Sequence, residues 1–423
     1  MTQTHQFGKQ LSTRIFIGML LGAVVGLVIR GAASSGGWID VYLVDGLFLV
    51  VKNVFIASLK MLVVPLVFVS LVCGTSSLAD PKKLGRVGVK TLALYLFTTA
   101  VAISLALLFA LLLGPGVGAH FATTEFTSKA APSVAQVLAN LVPSNPIAAM
   151  ASGNMLQIIV FAVLSGLAMS FSGEPGERVA GFFNDLNAVI MRLVLMLMNV
   201  APFGVFAVML RLASNLGADA FASLLKYFLL VLGVLLVHGL VTYPLLLQTL
   251  GRVNPVAFLR KMRAAQLFAF GTASSNATLP VTMNVVENRL GVANATAAFT
   301  LPLGATVNMD GTAIMQGVAT VFIAQVYGID LSAAQLLTVI MMSVLASVGT
   351  AGVPGVGLIT LAMVLQQVGL PVEGIGLIIG VDRILDMTRT AVNITGDAAV
   401  TVIVAQSEGD LDPVVYGNPG AAG

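Results

Sequence analysis

The densest chemistry in the chain is the run Val381-Asp382-Arg383-Ile384-Leu385-Asp386-Met387-Thr388-Arg389-Thr390-Ala391-Val392-Asn393-Ile394-Thr395-Gly396-Asp397. At about 100° per helical residue, Asp382, Asp386, Arg389, Thr390, Asn393 and Asp397 share a sector of about 100°. Leu385, Met387, Val392 and Ile394 lie opposite. The polar face offers carboxylates for an amino group or a cation and a guanidinium for a carboxylate, with Asn and Thr for either. An amino acid presents that set of groups.

Three further polar interruptions fall inside apolar sequence. They are Gly271-Thr272-Ala273-Ser274-Ser275-Asn276-Ala277-Thr278-Leu279-Pro280, then Asn308-Met309-Asp310-Gly311-Thr312, then Ser347-Val348-Gly349-Thr350-Ala351-Gly352-Val353-Pro354-Gly355. Asp310 beside Gly311 predicts a carboxylate next to an unwound turn, where backbone carbonyls and the hydroxyls of Thr306, Thr312, Ser347 and Thr350 can complete a hard-cation shell.

The elements that must position these groups are membrane helices. Hydrophobic residues make up 57% of the 423 and charged residues 9%, and mean hydropathy is +0.99. A soluble domain carries about 25% charged residues, so lipid is the solvent over most of this surface. The net charge of +3 comes from basic segments between apolar runs, such as Lys82, Lys83, Arg86 and Lys90, and Arg252, Arg260, Lys261 and Arg263. These read as cytoplasmic loops rather than as a nucleic-acid surface. A charge at the bilayer centre costs about 2.5–3.5 kcal/mol, so the acidic stripe requires partners or a wet cavity.

Apolar runs predict helices over 13–30, 43–74, 88–114, 150–173, 182–213 and 223–250. Loops at 174–181 and 251–263 fall inside and those at 115–148 and 214–221 outside, with both termini cytoplasmic. Lys9 and Arg14 before the Ile15–Ile29 stretch resemble a signal peptide, but Gly18, Gly22 and Gly26, four apart, favour a retained helix with a close-packing face. Past residue 264, the first and third interruptions split apolar runs into halves too short to span, as in re-entrant hairpins. Each is followed about 30 residues later by a polar break in a helix, which suggests an internal repeat around a midplane site. The lone Cys73 forms no intrachain disulfide, the scattered histidines give no metal-ligand spacing, and His238 reads as a packed helix residue.

The Ser-Ser-Asn-Ala-Thr-Leu-Pro tip, Asn308-Met309-Asp310-Gly311-Thr312, the Gly-rich third break and Asp386…Arg389-Thr390…Asn393…Asp397 resemble the glutamate transporter family, the dicarboxylate/amino acid:cation symporters. The resemblance covers essentially the whole chain. It implies an all-α homotrimer with eight transmembrane helices, two re-entrant hairpins and inverted repeats. It further implies an elevator mechanism with the second hairpin as outer gate. On that pattern 1–87 holds scaffold helices and 88–114 a transport-domain helix. Scaffold helices with an extracellular loop fill 115–222, the rest of the transport domain 223–407, and a flexible cytoplasmic tail 408–423.

Carried over residue by residue, the resemblance puts Asp386 and the carbonyls of Ala273 and Val353 on the substrate amino group. Arg389, Thr312 and the Gly357 amide take the side-chain carboxylate, and Asn393 and the Ser275 amide take the α-carboxylate. Ser274, Met309 and Thr390 belong to the same site. Sodium sites follow from Asp397, Asn308, Gly304 and Asn393; from Thr306, Ser347, Val348 and Thr350; and from Asp310, Asn308, Tyr95, Thr98 and Thr99. Some members carry a supporting arginine at the first hairpin tip or just after the aspartate of the last helix; here those positions are Ala273 and Met387.

The expected activity is sodium-coupled symport of L-aspartate or L-glutamate across the plasma membrane, without chemistry on the solute and without a prosthetic group. Arg389 favours an acidic side chain over a neutral one. Asp386 favours an amino acid over a plain dicarboxylate, whose carboxylate it would repel. Proton coupling and neutral amino acid or C4-dicarboxylate transport stay open. A channel, expected to show flux that does not saturate, and an intramembrane enzyme are disfavoured; the stripe lacks a Ser/His or Glu/His pairing at catalytic spacing.

Overall fold

The computed structural model describes residues 2–32, 37–78, 86–118, 142–215, 218–348, 352 and 354–418. The described residues are predominantly helical, and the one β-type contact among them is an isolated antiparallel bridge between Val292 and Leu411. In order come α1 (Thr2–Ala32), a π-helical stretch (Ile39–Leu47) leading into α2 (Phe48–Leu78), α3 (Arg86–Leu113), α4 (Pro146–Ser152), α5 (Met155–Phe171), α6 (Glu174–Asn215) and α7 (Ala218–Val237). A π turn (His238–Thr242) joins α7 to α8 (Tyr243–Thr249), followed by α9 (Pro255–Thr272), α10 (Ser275–Asn288), α11 (Asn294–Val307) and α12 (Asp310–Val326). The chain continues through α13 (Ala333–Ser347), α14 (Val356–Gln367), α15 (Ile375–Glu408) and α16 (Pro413–Gly417).

The segment 174–181, read as a loop, is instead the opening of α6. Glu174 and Glu177 lie in its first turn, where carboxylates stabilise the exposed amides, and Pro175 suits a first-turn position. The run over 150–173 is interrupted where Gly153 adopts φ 69° and Asn154 caps α5.

Two packing groups emerge. In one, α1 and α2 lie along α6, and α5 joins α2. In the other, α3 packs on α12 and α13, and α15 is flanked by α7, α9, α11 and α12. The first group closes by backbone approach. A β-carbon on Gly18, Gly22 or Gly26 would sit 2.5, 2.4 and 2.4 Å from the carbonyl oxygens of Pro202, Phe206 and Leu210. Any side chain there would push α1 off α6. The groups meet where α14 faces α2 and α15 faces α6.

Arg86–Leu113 and Ala222–Thr249, 28 residues each, are long and apolar enough to cross a bilayer. Glu174–Val194 and Asn199–Arg211, bent by 45° and bracketing the turn before Pro202, make a third crossing if taken as one span. By contrast α13 and α14 have 15 and 12 residues, short of the ~20 that a crossing needs.

Residues 408–418, expected as part of a flexible tail, are seated on the base of α9 and α10. Lys261, 2% exposed, donates to the carbonyls of Arg289, Val415 and Tyr416, each at 2.8 Å. Tyr416 returns a bond to the Asn254 carbonyl at 2.9 Å. Three carbonyls satisfy the three donors of an ammonium, and that is what fixes the segment. Glu408 closes the end of α15 onto α3 through Arg86 and Lys90, each at 2.5 Å. Lys82, Lys83 and 419–423 lie outside the described residues, as does most of the 115–148 loop.

Candidate functional site

Three irregular points converge on α15. The α9–α10 turn passes through Ala273, whose φ of 49° is left-handed, and Ser274, whose hydroxyl caps Ala277 N–H. A non-glycine residue in that region is strained. The α11–α12 junction breaks at Asn308 and Met309. The α13–α14 connection reaches the α9–α10 turn through the Gly352 carbonyl, which accepts Ser274 Oγ at 2.6 Å and Asn276 N at 3.2 Å. Between them lies a cavity of ≈ 20 Å³ lined by Ala273, Ser275, Met309, Thr312, Gly357, Asp386, Arg389, Thr390 and Asn393, together with Gly352 and Val356. That volume holds about one water.

Arg389, 1% exposed, is held from two sides. Nη1 donates to Asp382 Oδ1 at 2.7 Å and Nη2 to Asp386 Oδ1 at 2.8 Å. Its Nε has no acceptor among the described residues. Asp386 also accepts from the Gly355 amide at 3.1 Å and from Arg383 Nη1 at 3.3 Å. Two carboxylates and two guanidiniums thus neutralise one another away from water. Gly357 stays bare because a β-carbon there would come within 3.2 Å of Arg389 Nη2.

The second cluster holds two acids and, among the described residues, no guanidinium or ammonium bonded to them. Asp310, fully buried, accepts Thr99 Oγ1 at 2.6 Å, Tyr243 OH at 2.8 Å and His238 Nε2 at 3.1 Å. Asp397 accepts Asn308 Nδ2 at 3.0 Å, and Thr98 Oγ1 donates to Asn308 Oδ1 at 3.2 Å. A β-carbon on Gly304 would lie 2.6 Å from both Asp397 Oδ1 and Tyr95 OH, so only glycine lets these two groups flank that backbone. Carboxylate, hydroxyl, amide and carbonyl oxygens at short range are the donor set of a hard cation.

The sequence pattern of the sodium:dicarboxylate symporter family matches residues 11–407. The chain belongs to that family. It is 34% identical over 412 residues to a proton/sodium-glutamate symport protein of Bacillus caldotenax, covering 95% of each chain. It is 34% identical over 446 residues to an excitatory amino acid transporter of Caenorhabditis elegans, covering 93% of this chain and 87% of that one. A C4-dicarboxylate transport protein of Bacillus subtilis (strain 168) is 31% identical over 413 residues, covering 96% of this chain and 95% of the other. The family is one of symporters, not enzymes.

In this sodium:dicarboxylate symporter family member, the expected substrate residues that are described line one cavity, except that Ser274 stands at its edge as the cap of α10. Val353 and Thr350 lie outside the described residues. Thr99 bonds Asp310 directly, and Thr98, Asn308 and Asp397 form a separate bonded chain. Tyr95 donates instead to the Thr300 carbonyl at 3.0 Å. Asn393 lines the cavity and bonds the α11–α12 junction, accepting Gly311 N–H at 2.7 Å and donating to Met309 Sδ at 3.3 Å. Thr306 and Ser347 turn their hydroxyls onto carbonyls of their own helices, Leu303 at 2.9 Å and Val344 at 2.7 Å. Val348 packs against the small cluster that contains Leu303 and Val307.

Three participants escaped the sequence reading. His238, read as a packed helix residue, and Tyr243 are brought onto Asp310 by the π turn that ends α7. Such turns recur at functional sites, but the 5-residue signature of this one has no distinctive residue pattern. Arg383 lies within the polar run itself, three residues before Asp386. It supplies the second guanidinium that Ala273 and Met387 do not.

Proposed function

We propose that this chain is a secondary active transporter that moves an acidic amino acid, L-aspartate or L-glutamate, with sodium across the plasma membrane. The observation that carries this reading is the pairing of Asp386 with Arg389 at 2.8 Å in a cavity bordered by a second, cation-type cluster. A zwitterionic solute can enter that pair by exchange. Its ammonium replaces Arg389 at Asp386, and its carboxylate replaces Asp386 at Arg389, so no buried charge is left unpaired. A side-chain carboxylate then adds one negative charge, which cations at Asp310 and Asp397 offset. The names of the relatives support glutamate as a substrate and sodium as a coupling ion.

The architecture that goes with this reading has eight transmembrane helices, with α9–α10 and α13–α14 as re-entrant hairpins, in a homotrimer with cytoplasmic termini. The short lengths of α13 and α14 support the hairpin assignment. The two packing groups support a scaffold and a transport domain that slide past each other. A cavity of ≈ 20 Å³ is too small for an amino acid, so a wall must part. The α13–α14 side is the candidate, since among its described residues Gly352 accepts Ser274 Oγ and Gly355 N–H donates to Asp386 Oδ2, contacts that a solute at Asp386 would disturb.

Proton coupling is the second reading, supported by a relative from Escherichia coli (strain K12) named a proton/glutamate-aspartate symporter, 34% identical over 415 residues and covering 95% of this chain. The test is uptake of labelled L-aspartate into liposomes holding the purified protein. Saturable uptake driven by an inward sodium gradient supports the first reading. Uptake driven by a proton gradient without sodium replaces it with the second. Uptake of succinate but not of aspartate under either gradient would sink the substrate assignment.

A further inference from the structure

A crevice of ≈ 400 Å³ opens between α7, α9 and α15. Its floor is formed by Thr388, Ala391, Val392 and Thr395, the face of α15 opposite the Asp386–Arg389 cluster. The walls are apolar and exposed. Leu236 and Leu240 come from the end of α7 and its π turn, and Leu267, 74% exposed, and Phe270 from α9. Gly239 leaves the middle open, since a β-carbon there would meet nothing nearer than Val392 Cγ2 at 3.8 Å. The volume falls in the range of about 300–1,000 Å³ typical of small-molecule sites.

One end of the crevice is charged. Arg263 lines it and makes no ion pair with any described residue. Arg263 and Phe270 are separated along α9 by a rise of about 10 Å. Leu236 and Leu240 stand near the middle of the Ala222–Thr249 span, so the crevice runs from mid-bilayer depth toward the basic end of α9. There Arg252, Arg260 and Arg263 are all exposed. An apolar channel at lipid depth that ends in an unpaired guanidinium matches an amphiphile with a hydrocarbon tail and an anionic head. A zwitterionic lipid could also set a phosphate there, but its own head-group cation would offset the attraction to Arg263, so a net-anionic head is favoured.

We propose that this crevice binds one anionic phospholipid of the cytoplasmic leaflet, with its acyl chain along Leu240, Leu267 and Phe270 and its phosphate on Arg263. The inference rests on the membrane embedding proposed above, not on the identity of the transported solute. The bound chain would lie against the Gln266–Thr395 hydrogen bond of 2.9 Å that ties α9 to the back of α15. The lipid would therefore brace the helix that carries the site.

The test is a titration of the purified full-length protein in neutral phosphatidylcholine nanodiscs with phosphatidylglycerol, read by native mass spectrometry. Transport is not needed for the readout, so failure of the proposed activity would leave the result interpretable. The wild type is expected to retain one phosphatidylglycerol per chain in preference to phosphatidylcholine. Arg263→Gln should weaken retention about five-fold, the worth of one basic residue at an anionic lipid surface. Gly239→Leu, which grows a side chain into the crevice, should abolish retention. Arg260→Gln, exposed on the same helix but outside the crevice, should not change it. Retention untouched by Gly239→Leu, or lost equally in Arg260→Gln, would overturn the proposal in favour of diffuse attraction to the basic surface. No preferential retention by the wild type would overturn it outright.

Discussion

The two polar clusters along α15 are neutralised in opposite ways. Around Arg389 the protein supplies both signs of charge, with Asp382 and Asp386 matched by Arg383 and Arg389. Around Asp310 and Asp397 it supplies acids whose bonded partners among the described residues are hydroxyl, amide and imidazole groups: Thr99, Tyr243, Asn308 and His238. Burying an ion without a partner costs several kcal/mol. On the proposed reading the first cluster opens to a solute that replaces both halves of a pair, and the second takes the coupling cations. The proposed coupling of solute to sodium rests on that contrast, and four substitutions test it.

Arg389→Ala should have the largest effect. It strips Asp382 of its bonded guanidinium and leaves Asp386 only the 3.3 Å contact with Arg383 as a cationic partner, and removing one partner of a buried pair costs about 3–5 kcal/mol. Liposome uptake of L-aspartate should fall by about 100-fold or more; retention of a tenth of it would mean that the solute does not exchange into this pair. Asp310→Asn comes next. It replaces one of the two carboxylates of the second cluster but keeps its shape, and should raise the half-saturating sodium concentration by at least about ten-fold, given the strength of bonds to charged groups. An unchanged sodium curve would place the cation elsewhere.

Arg383→Gln should be milder, since its 3.3 Å bond to Asp386 is the longer of the two guanidinium contacts there. A rise of about five-fold in the KM for L-aspartate is expected, with the sodium curve unmoved. A matching shift in both would show that the clusters are not electrically separate. The smallest effect belongs to His238→Gln, which keeps an N–H donor for Asp310; the sodium half-saturation should move by less than about three-fold. A loss as large as that of Asp310→Asn would show that His238 contributes charge, and the contrast between the clusters would fail.

Lys261 and the C-terminal segment show where composition misleads. Gly, Pro and Asp after Glu408 read as a loose tail, yet residues 410–417 are held by backbone bonds at Gly291 and Ala293 and by the Lys261 ammonium. Lys261 in turn read as one of several loop cations marking the cytoplasmic side. Nothing in its local sequence says that its partners lie 28, 154 and 155 residues away. The glycines of α1 were the opposite case. Their four-residue spacing is a local pattern, and local helical geometry turns it directly into a face that meets α6.

The same division runs through the site. Sequence by itself determined that the chain is made of membrane helices, that the last long helix carries a polar stripe, and that three irregular breaks accompany it. Each of these follows from hydropathy, from the 3.6-residue helical period, or from backbone preferences of Gly, Pro and Asn, all of which act over a few residues. Only the tertiary structure decided which acid receives which partner. Tyr243 and His238 reach Asp310 from 67 and 72 residues away, and Thr99 from 211. Asn393 is turned toward Gly311, and Arg383 reinforces Asp386. Hydrogen bonds and ion pairs act at about 3 Å, so the assignment of charge to partner is settled only when helices distant in sequence are packed side by side.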